Sequence, residues 1–253
     1  MLSKQVTKIV QNLEKKKFRE KYNLFKVEGE KLVGELLLSG LKIHTLLATP
    51  EWIEQQHKVL SDIRVTEVSK QEISTISDFQ SLPDVIALAE IPAYTFNPEE
   101  VGDNLTIALN GIQDPGNLGT ILRVADWFGI RHILCDRECA GVYNPKCVQA
   151  SMGAIFRVKT FYVDLPLMLK ELKNENSPVF GTFLDGENIY HASLCRKGLI
   201  VMGNEGKGIS EEIARLTDFK LTIPSFATGE EKTESLNVGV ATGIILSEFR
   251  RRG

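Results

Sequence analysis

Asn110-Gly111-Ile112-Gln113-Asp114-Pro115-Gly116-Asn117-Leu118-Gly119 follows an apolar run at 105–109 and leads into a helical pattern carrying Arg123 and Ala125. A buried strand is thus joined to a helix through a turn of Gly, Asn, Asp and Pro. Such residues leave main-chain N–H and C=O groups free to face a ligand. The construction recurs in Val201-Met202-Gly203-Asn204-Glu205-Gly206-Lys207-Gly208-Ile209-Ser210. It appears again where Ile223-Pro224 is followed by Glu234-Ser235-Leu236-Asn237-Val238-Gly239-Val240-Ala241. Three such turns in one α/β unit suggest a single composite site.

Around these turns the pattern predicts strands at 132–135, 157–161, 179–183, 199–202 and 219–223. Helices are predicted at 117–128, from Asn144-Pro145 onward, at 165–172, after Ser210 and at 235–252. The last places Val238, Ala241, Ile245 and Phe249 on one stripe, and Ser235 at its start is a candidate N-cap. Upstream, Val6, Ile9, Val10 and Leu13 have helical spacing within 3–17. Strands at 25–28, 43–48, 65–68 and 85–90 alternate with helices at 30–38 and 51–60, a compact α/β module. The stretch 91–103, with Pro92, Pro98 and several acidic residues, reads as a linker. The expected organisation is a substrate-binding module at 1–95, a linker at 96–104 and a larger domain at 105–253.

A chain of 253 residues with 43% hydrophobic and 25% charged residues has an ordinary globular composition. It has no apolar stretch long enough for a membrane span and no secretory leader pattern, so a cytoplasmic location is the expectation. Cys135, Cys139, Cys147 and Cys195 lack the spacing of a metal site. They read as reduced thiols, and no metal role is expected. The net charge of −3 conceals a segregation: residues 1–26 hold eight Lys/Arg against two Glu, whereas 51–103 hold eleven Asp/Glu against three Lys/Arg. The basic stretch, with Lys15, Lys16, Lys17 and Arg19 at its centre, reads either as a solvated helix face or as an arm for nucleic-acid phosphates.

Several chemistries are excluded by spacing. Gly206-Lys207-Gly208 lacks the third glycine of a dinucleotide fingerprint and the Ser/Thr of a phosphate-binding loop. No Gly-x-Ser-x-Gly elbow occurs, and none of the four histidines falls in the three motifs. Arg123 lies in a largely apolar helix and wants an anion. Its partner is either a ligand or an internal carboxylate, Glu205 or Asp126.

In order and chemistry the three motifs closely resemble those of the SpoU/TrmH family of RNA ribose 2′-O-methyltransferases, within the SPOUT superfamily, over about residues 105–249. The resemblance implies an α/β domain with a parallel sheet and a deep trefoil knot. The cofactor implied is S-adenosylmethionine, held largely by main-chain groups. Family cofactor contacts carry over to Gly203, Ile223 and Leu236, with Thr182, Met202, Asn204, Gly206 and Pro224 lining the pocket. Catalytic or RNA-positioning roles carry over to Asn117, Arg123, Glu205, Ser235 and Asn237, with Arg123 as base or as phosphate holder. A homodimer is implied as well. Phe25-Lys26-Val27-Glu28-Gly29-Glu30-Lys31-Leu32 is similar to the family's L30e-like substrate-binding domain, which favours ribosomal over transfer RNA and makes Lys15, Lys16, Lys17 and Arg19 RNA contacts. A non-catalytic RNA-binding protein and a base-nitrogen methyltransferase are the alternatives. Two departures stand out: Gly239 replaces a serine common in the family, and the charged insert at 226–233 is longer than usual.

Overall fold

The computed structural model describes residues 2–56, 63–174, 177–228 and 234–252. The N-terminal part runs α1 (Lys4–Asn12), α2 (Lys16–Tyr22), β1 (Leu24–Glu28), α3 (Glu30–Leu38), β2 (Ile43–Ala48), α4 (Pro50–Gln56), β3 (Val65–Glu67), α5 (Lys70–Ser74) and β4 (Val85–Glu90). Its sheet has the order β1-β4-β2-β3, with β4 antiparallel to both neighbours. The C-terminal part runs α6 (Pro98–Gly102), β5 (Leu105–Asn110), α7 (Pro115–Trp127), β6 (His132–Cys135), α8 (Pro145–Ser151), β7 (Lys159–Tyr162), α9 (Leu165–Leu172), β8 (Val179–Asn188), β9 (Gly198–Gly203), α10 (Glu211–Ala214), β10 (Phe219–Thr222) and α11 (Val238–Arg252). Its six strands are all parallel, in the order β10-β8-β9-β5-β6-β7. The first, second and third motifs therefore leave the same edge of one sheet. Among the described residues no helix is long and apolar enough to cross a membrane.

The helix expected over 3–17 is two helices. Leu13 is fully buried beneath the first sheet, and Lys15 is extended ahead of α2. The Arg19 guanidinium turns back and donates to the carbonyls of Leu13 (2.8 Å) and Glu14 (2.7 Å). A buried arginine thus satisfies carbonyls that the interrupted helix leaves open. The stretch read as a linker contains α6: Pro98 occupies its first turn, and Asn97 Oδ1 accepts from the Glu99 N–H at 3.1 Å. Val101 is buried in the second core, and its carbonyl accepts from Thr106 Oγ1, so this stretch is packed onto the domain it precedes. Residues 57–60 of the helix expected at 51–60, and 229–233 of the charged insert, lie outside the described residues.

One apolar core runs through both sheets. Phe25, Val27 and Ala87 belong to the same cluster as Ile107, Leu118, Ile133 and Phe156. Each large side chain buried there contributes about 1.5–3 kcal/mol. The Phe25 and Tyr143 rings meet across the junction at 4.7 Å. At its rim Arg157 pairs with Glu35 (2.6 Å) and Asp126 (2.9 Å), tying α3 to α7.

Candidate active site

The first motif is built by hydrogen bonds its sequence makes possible. Gly111 turns the chain with φ +73° after β5. Asp114 caps α7 by accepting the Asn117 N–H at 2.9 Å, and Pro115 fills the first turn, where no N–H is missed. Lys146 on α8 bonds the same carboxylate at 2.7 Å. That bond first, and the Asn117 N–H second, hold the Asp114 carboxyl below the usual carboxylate range. Gly119 is required by packing: a Cβ there would lie 2.5 Å from the Cys147 carbonyl oxygen and 2.6 Å from Ala150 Cβ. Cys135, Cys139 and Cys147 are buried, free thiols, and Cys195 is half-buried. Contact with Cys139 and burial push the Cys135 thiol well up, and burial does the same to Cys147.

The second motif is a tight loop. The Asn204 and Gly208 main chains exchange hydrogen bonds of 3.1 and 2.9 Å. A Cβ on Gly203 would come within 2.5 Å of the Gly208 and Ile209 main chain. Asn204 Oδ1 accepts from the N–H groups of Gly206 (2.9 Å) and Lys207 (3.0 Å), while its Nδ2 donates to the Gly111 carbonyl at 2.7 Å. Asn110 makes a second cross-link. Its Oδ1 accepts from the Ser210 N–H and its Nδ2 donates to Asp136, both at 2.7 Å. Asp136 in turn accepts from the N–H groups of Glu138 and Cys139. Neither Asn110, the first residue of the first motif, nor Asp136 is among the site residues expected from sequence; their signal is a polar residue that ends or directly follows an apolar strand.

The third motif closes the site. Asn237, not Ser235, caps α11: its Oδ1 accepts from the N–H groups of Gly239 (2.9 Å) and Val240 (3.3 Å). Its Nδ2 donates to Asn117 Oδ1 at 2.9 Å, and Asn117 Nδ2 donates to Glu205 Oε1 at 2.7 Å. One residue from each motif thus forms a hydrogen-bonded line that starts at a helix terminus and ends on a carboxylate. Ser235 is exposed and joins no hydrogen bond among the described residues.

Arg123 lies apart from this line. It is exposed, and neither carboxylate considered for it is paired with it: Asp126 is engaged by Arg157, and Glu205 by Asn117. Among the described residues it has no hydrogen bond or ion pair. It borders a groove of about 740 Å³ between α7 and α11, with Trp127, Phe128, Tyr190, Val240 and Ile244. Trp127 is 85% exposed there.

The residues expected to line the cofactor pocket lie within β8, at the end of β9 and after β10. Thr182 Oγ1 donates to the Val201 carbonyl at 3.0 Å. Met202 is buried, Ile223 and Pro224 are half-buried, and Leu236 is 49% exposed. A Cβ on Gly208 would meet nothing within 4 Å and one on Gly206 only Asn204 Oδ1, at 3.7 Å, so the outer side of the loop is open. Among the described residues, the main-chain N–H groups of Phe226, Ser235 and Leu236 engage no partner. Free main-chain donors beside apolar walls suit S-adenosylmethionine, whose adenine needs edge hydrogen bonds and a flat apolar slot.

Lys15, Lys16 and Lys17 are exposed on or beside α2. Arg19 is not available as an RNA contact: it is 5% exposed and spent on the Leu13 and Glu14 carbonyls. Among the described residues, no three His, Cys, Asp or Glu side chains converge as metal ligands would.

Residues 104–247 match the model of the SpoU rRNA methylase family, and residues 4–87 match an MRM3-like substrate binding domain. The chain is 28% identical to a Bacillus subtilis 23S rRNA (guanosine(2553)-2′-O)-methyltransferase, covering 94% of this chain and 93% of that one. Among solved structures, a TrmH-family protein from Porphyromonas gingivalis superposes with a TM-score of 0.87 at 39% identity, each chain fully covered. An AdoMet-bound rRNA methyltransferase from Sinorhizobium meliloti gives a TM-score of 0.85 at 30% identity, over 99% of this chain and 96% of that one.

Proposed function

Because the chain belongs to the SpoU rRNA methylase family, we propose that it is an S-adenosylmethionine-dependent enzyme that methylates a ribose 2′-hydroxyl of RNA, with ribosomal RNA as its substrate. The observation that carries the reading is the Asn237–Asn117–Glu205 line, because it makes one unit of three separate motifs. The similar Bacillus subtilis enzyme, which acts on 23S rRNA, supports ribosomal over transfer RNA.

Bound S-adenosylmethionine supplies a methyl group already activated on a sulfonium. The chain must hold the hydroxyl oxygen in line, about 3 Å away, and ease the departure of its proton. Main-chain groups of Gly203, Ile223 and Leu236 hold the cofactor, with Thr182, Met202, Asn204, Gly206 and Pro224 lining the pocket. Asn237 fixes the Asn117 amide, which fixes Glu205. The second Glu205 oxygen and the exposed Ser235 hydroxyl are left to orient the ribose. Arg123 is always protonated and cannot serve readily as a base. We assign it to the phosphate beside the target ribose, where its charge favours the alkoxide, and the hydroxyl proton passes to solvent as the methyl–oxygen bond forms.

The exposed α7/α11 face is the surface for a second copy of the chain. Trp127 and Val240 are exposed along it, and Arg123 on the same face would reach a site completed by the partner. The reading includes the knotted passage of the second and third motif loops. What supports it is that α11 returns, after the edge strand β10, to pack on α7 and β9. In the same reading residues 1–95 select RNA and 105–253 carry the chemistry, with Lys15, Lys16 and Lys17 on phosphates.

Transfer from methyl-labelled S-adenosylmethionine to ribosomal RNA, followed by digestion to nucleosides, tests this. Label in a 2′-O-methylnucleoside is the expected result; label in a base-methylated nucleoside overturns it. Arg123→Ala should keep its melting temperature and lose turnover by about 10²–10³-fold, as loss of one preorganised charge does. A folded variant with full activity removes Arg123 from the mechanism.

A further inference from the structure

On α2, Phe18 and Tyr22 stand one turn apart with their rings stacked, 13° from parallel and 6.2 Å between centroids. Tyr22 rests against the core under α1, while Phe18 lies on Tyr22 outside that core. Both rings are half-exposed. Lys17 Nζ lies over the Phe18 ring, 5.0 Å from its centroid, and Lys21 Nζ over the Tyr22 ring, 5.6 Å from its centroid. Lys15 and Lys16 extend the basic strip, and Lys16 is only loosely engaged, 3.9 Å from Glu20.

This surface is held in place from beneath. Arg19 is anchored on the Leu13 and Glu14 carbonyls, and its guanidinium passes 3.5 Å from where a Gly141 Cβ would be. The Gly141 loop is tied to Tyr162, at the carboxyl end of β7, by the Val142 N–H and the Ala140 carbonyl. The same loop reaches the first motif, where the Ala140 N–H donates to the Ile112 carbonyl at 2.8 Å. Hence α2 sits at the same sheet edge as the motif loops, beside β6 and β7, whereas the Asn237–Asn117–Glu205 line sits beside β5 and β9.

We propose that Phe18 and Tyr22 form a stacking platform for an unpaired base of the RNA substrate, with Lys17 and Lys21 taking its flanking phosphates. This rests on the reading of the chain as an RNA enzyme and adds to it the class of RNA. Base–aromatic stacking needs a base that is out of its duplex, and the flexible ammonium groups that lie over the rings swing aside to the phosphates one sugar away as the base takes their place. A paired A-form helix offers phosphates but no free base face. The substrate is therefore a loop, bulge or single-stranded segment near the modified ribose.

The test uses the full-length chain and a synthetic RNA hairpin with 2-aminopurine in its loop, against a perfect duplex of the same composition. Stacking should quench the 2-aminopurine, and the hairpin should bind more tightly than the duplex. Phe18→Ala should weaken hairpin binding by roughly 5- to 150-fold and abolish the quench while leaving the salt dependence unchanged. Lys17→Gln with Lys21→Gln should do the converse, lowering the slope of log K against log salt by about 0.7 per lysine. Phe18→Trp, which keeps a ring face, should retain both binding and quench, and it decides the matter if Phe18→Ala fails to fold. Equal affinity for hairpin and duplex, or an unchanged quench in Phe18→Ala, overturns the platform. S-adenosylmethionine titration is run alongside: loss of RNA stacking with intact cofactor binding refutes the platform alone, and absent cofactor binding refutes the methyltransferase reading alone.

Discussion

Asn110 spends both ends of one amide on two partners, an acceptor toward the Ser210 N–H and a donor toward Asp136. Asn110→Asp deletes the donor and faces Asp136 with a second carboxylate. We expect a loss of about 1–3 kcal/mol in stability, the cost of an unmatched partly buried polar group, together with weaker binding of S-adenosylmethionine. The reversed pair Asn110→Asp/Asp136→Asn rebuilds the bond between the two side chains with donor and acceptor exchanged, keeps the bonds from the Ser210, Glu138 and Cys139 N–H groups, and should recover most of both. Recovery no better than the single variant means that the clamp does not position the loops. Gly239 obeys a different constraint. A Cβ there would sit 2.7 Å from Thr120 Cγ2 on α7, so the serine common in the family does not fit against this threonine. Gly239→Ser should cost about 1–3 kcal/mol through overpacking, and adding Thr120→Ala should relieve it. Thermal melting of the four-member cycle checks the coupling; additive losses would refute it.

At the scale of elements, α7 carries the site because its first turn is built from three cooperating residues: Asp114, Pro115 and the Lys146 that reaches over from α8. The depressed Asp114 carboxyl has a definite pH signature. A carboxylate more acidic in the folded than in the unfolded chain stabilises the fold above its ordinary pKa, near 3.9, and the benefit disappears as pH falls through the folded value. Wild type should therefore melt above Asp114→Asn at neutral pH, with the gap closing only in acid below about pH 4. A gap that is constant into strong acid contradicts this role. Much at this scale was readable beforehand. Apolar period and turn residues place α3, β2, β4, β6 and α9 where they are found, because local pattern and burial agree there. The failures have long-range causes. The break between α1 and α2 is made by Arg19 folding back, with no glycine or proline to announce it. The start of α11 is set by Asn237 rather than Ser235 because Asn237 also answers to Asn117, 120 residues away. The family resemblance brought Asn117, Glu205 and Asn237 under suspicion but gave no account of their order, which exists only once β5 and β9 are neighbours.

For the whole molecule, the α7/α11 groove and the uncovered Trp127 mark the surface on which the proposed dimer depends. Trp127→Glu should leave the protomer folded, since the side chain is outside the core, yet halve the mass measured by light scattering and remove turnover. An unchanged mass would place the interface elsewhere. The junction between the two parts has a different character, because there the two sheets share one core and Arg157 holds α3 and α7 together. Because one apolar core spans both sheets, the distance from α2 to the motif loops is a constant of the protein. Such a chain works like a calliper. It grips a landmark nucleotide with one jaw and methylates whatever ribose lies at the other, so that lengthening the RNA between them shifts the mark to a new residue instead of weakening the grip.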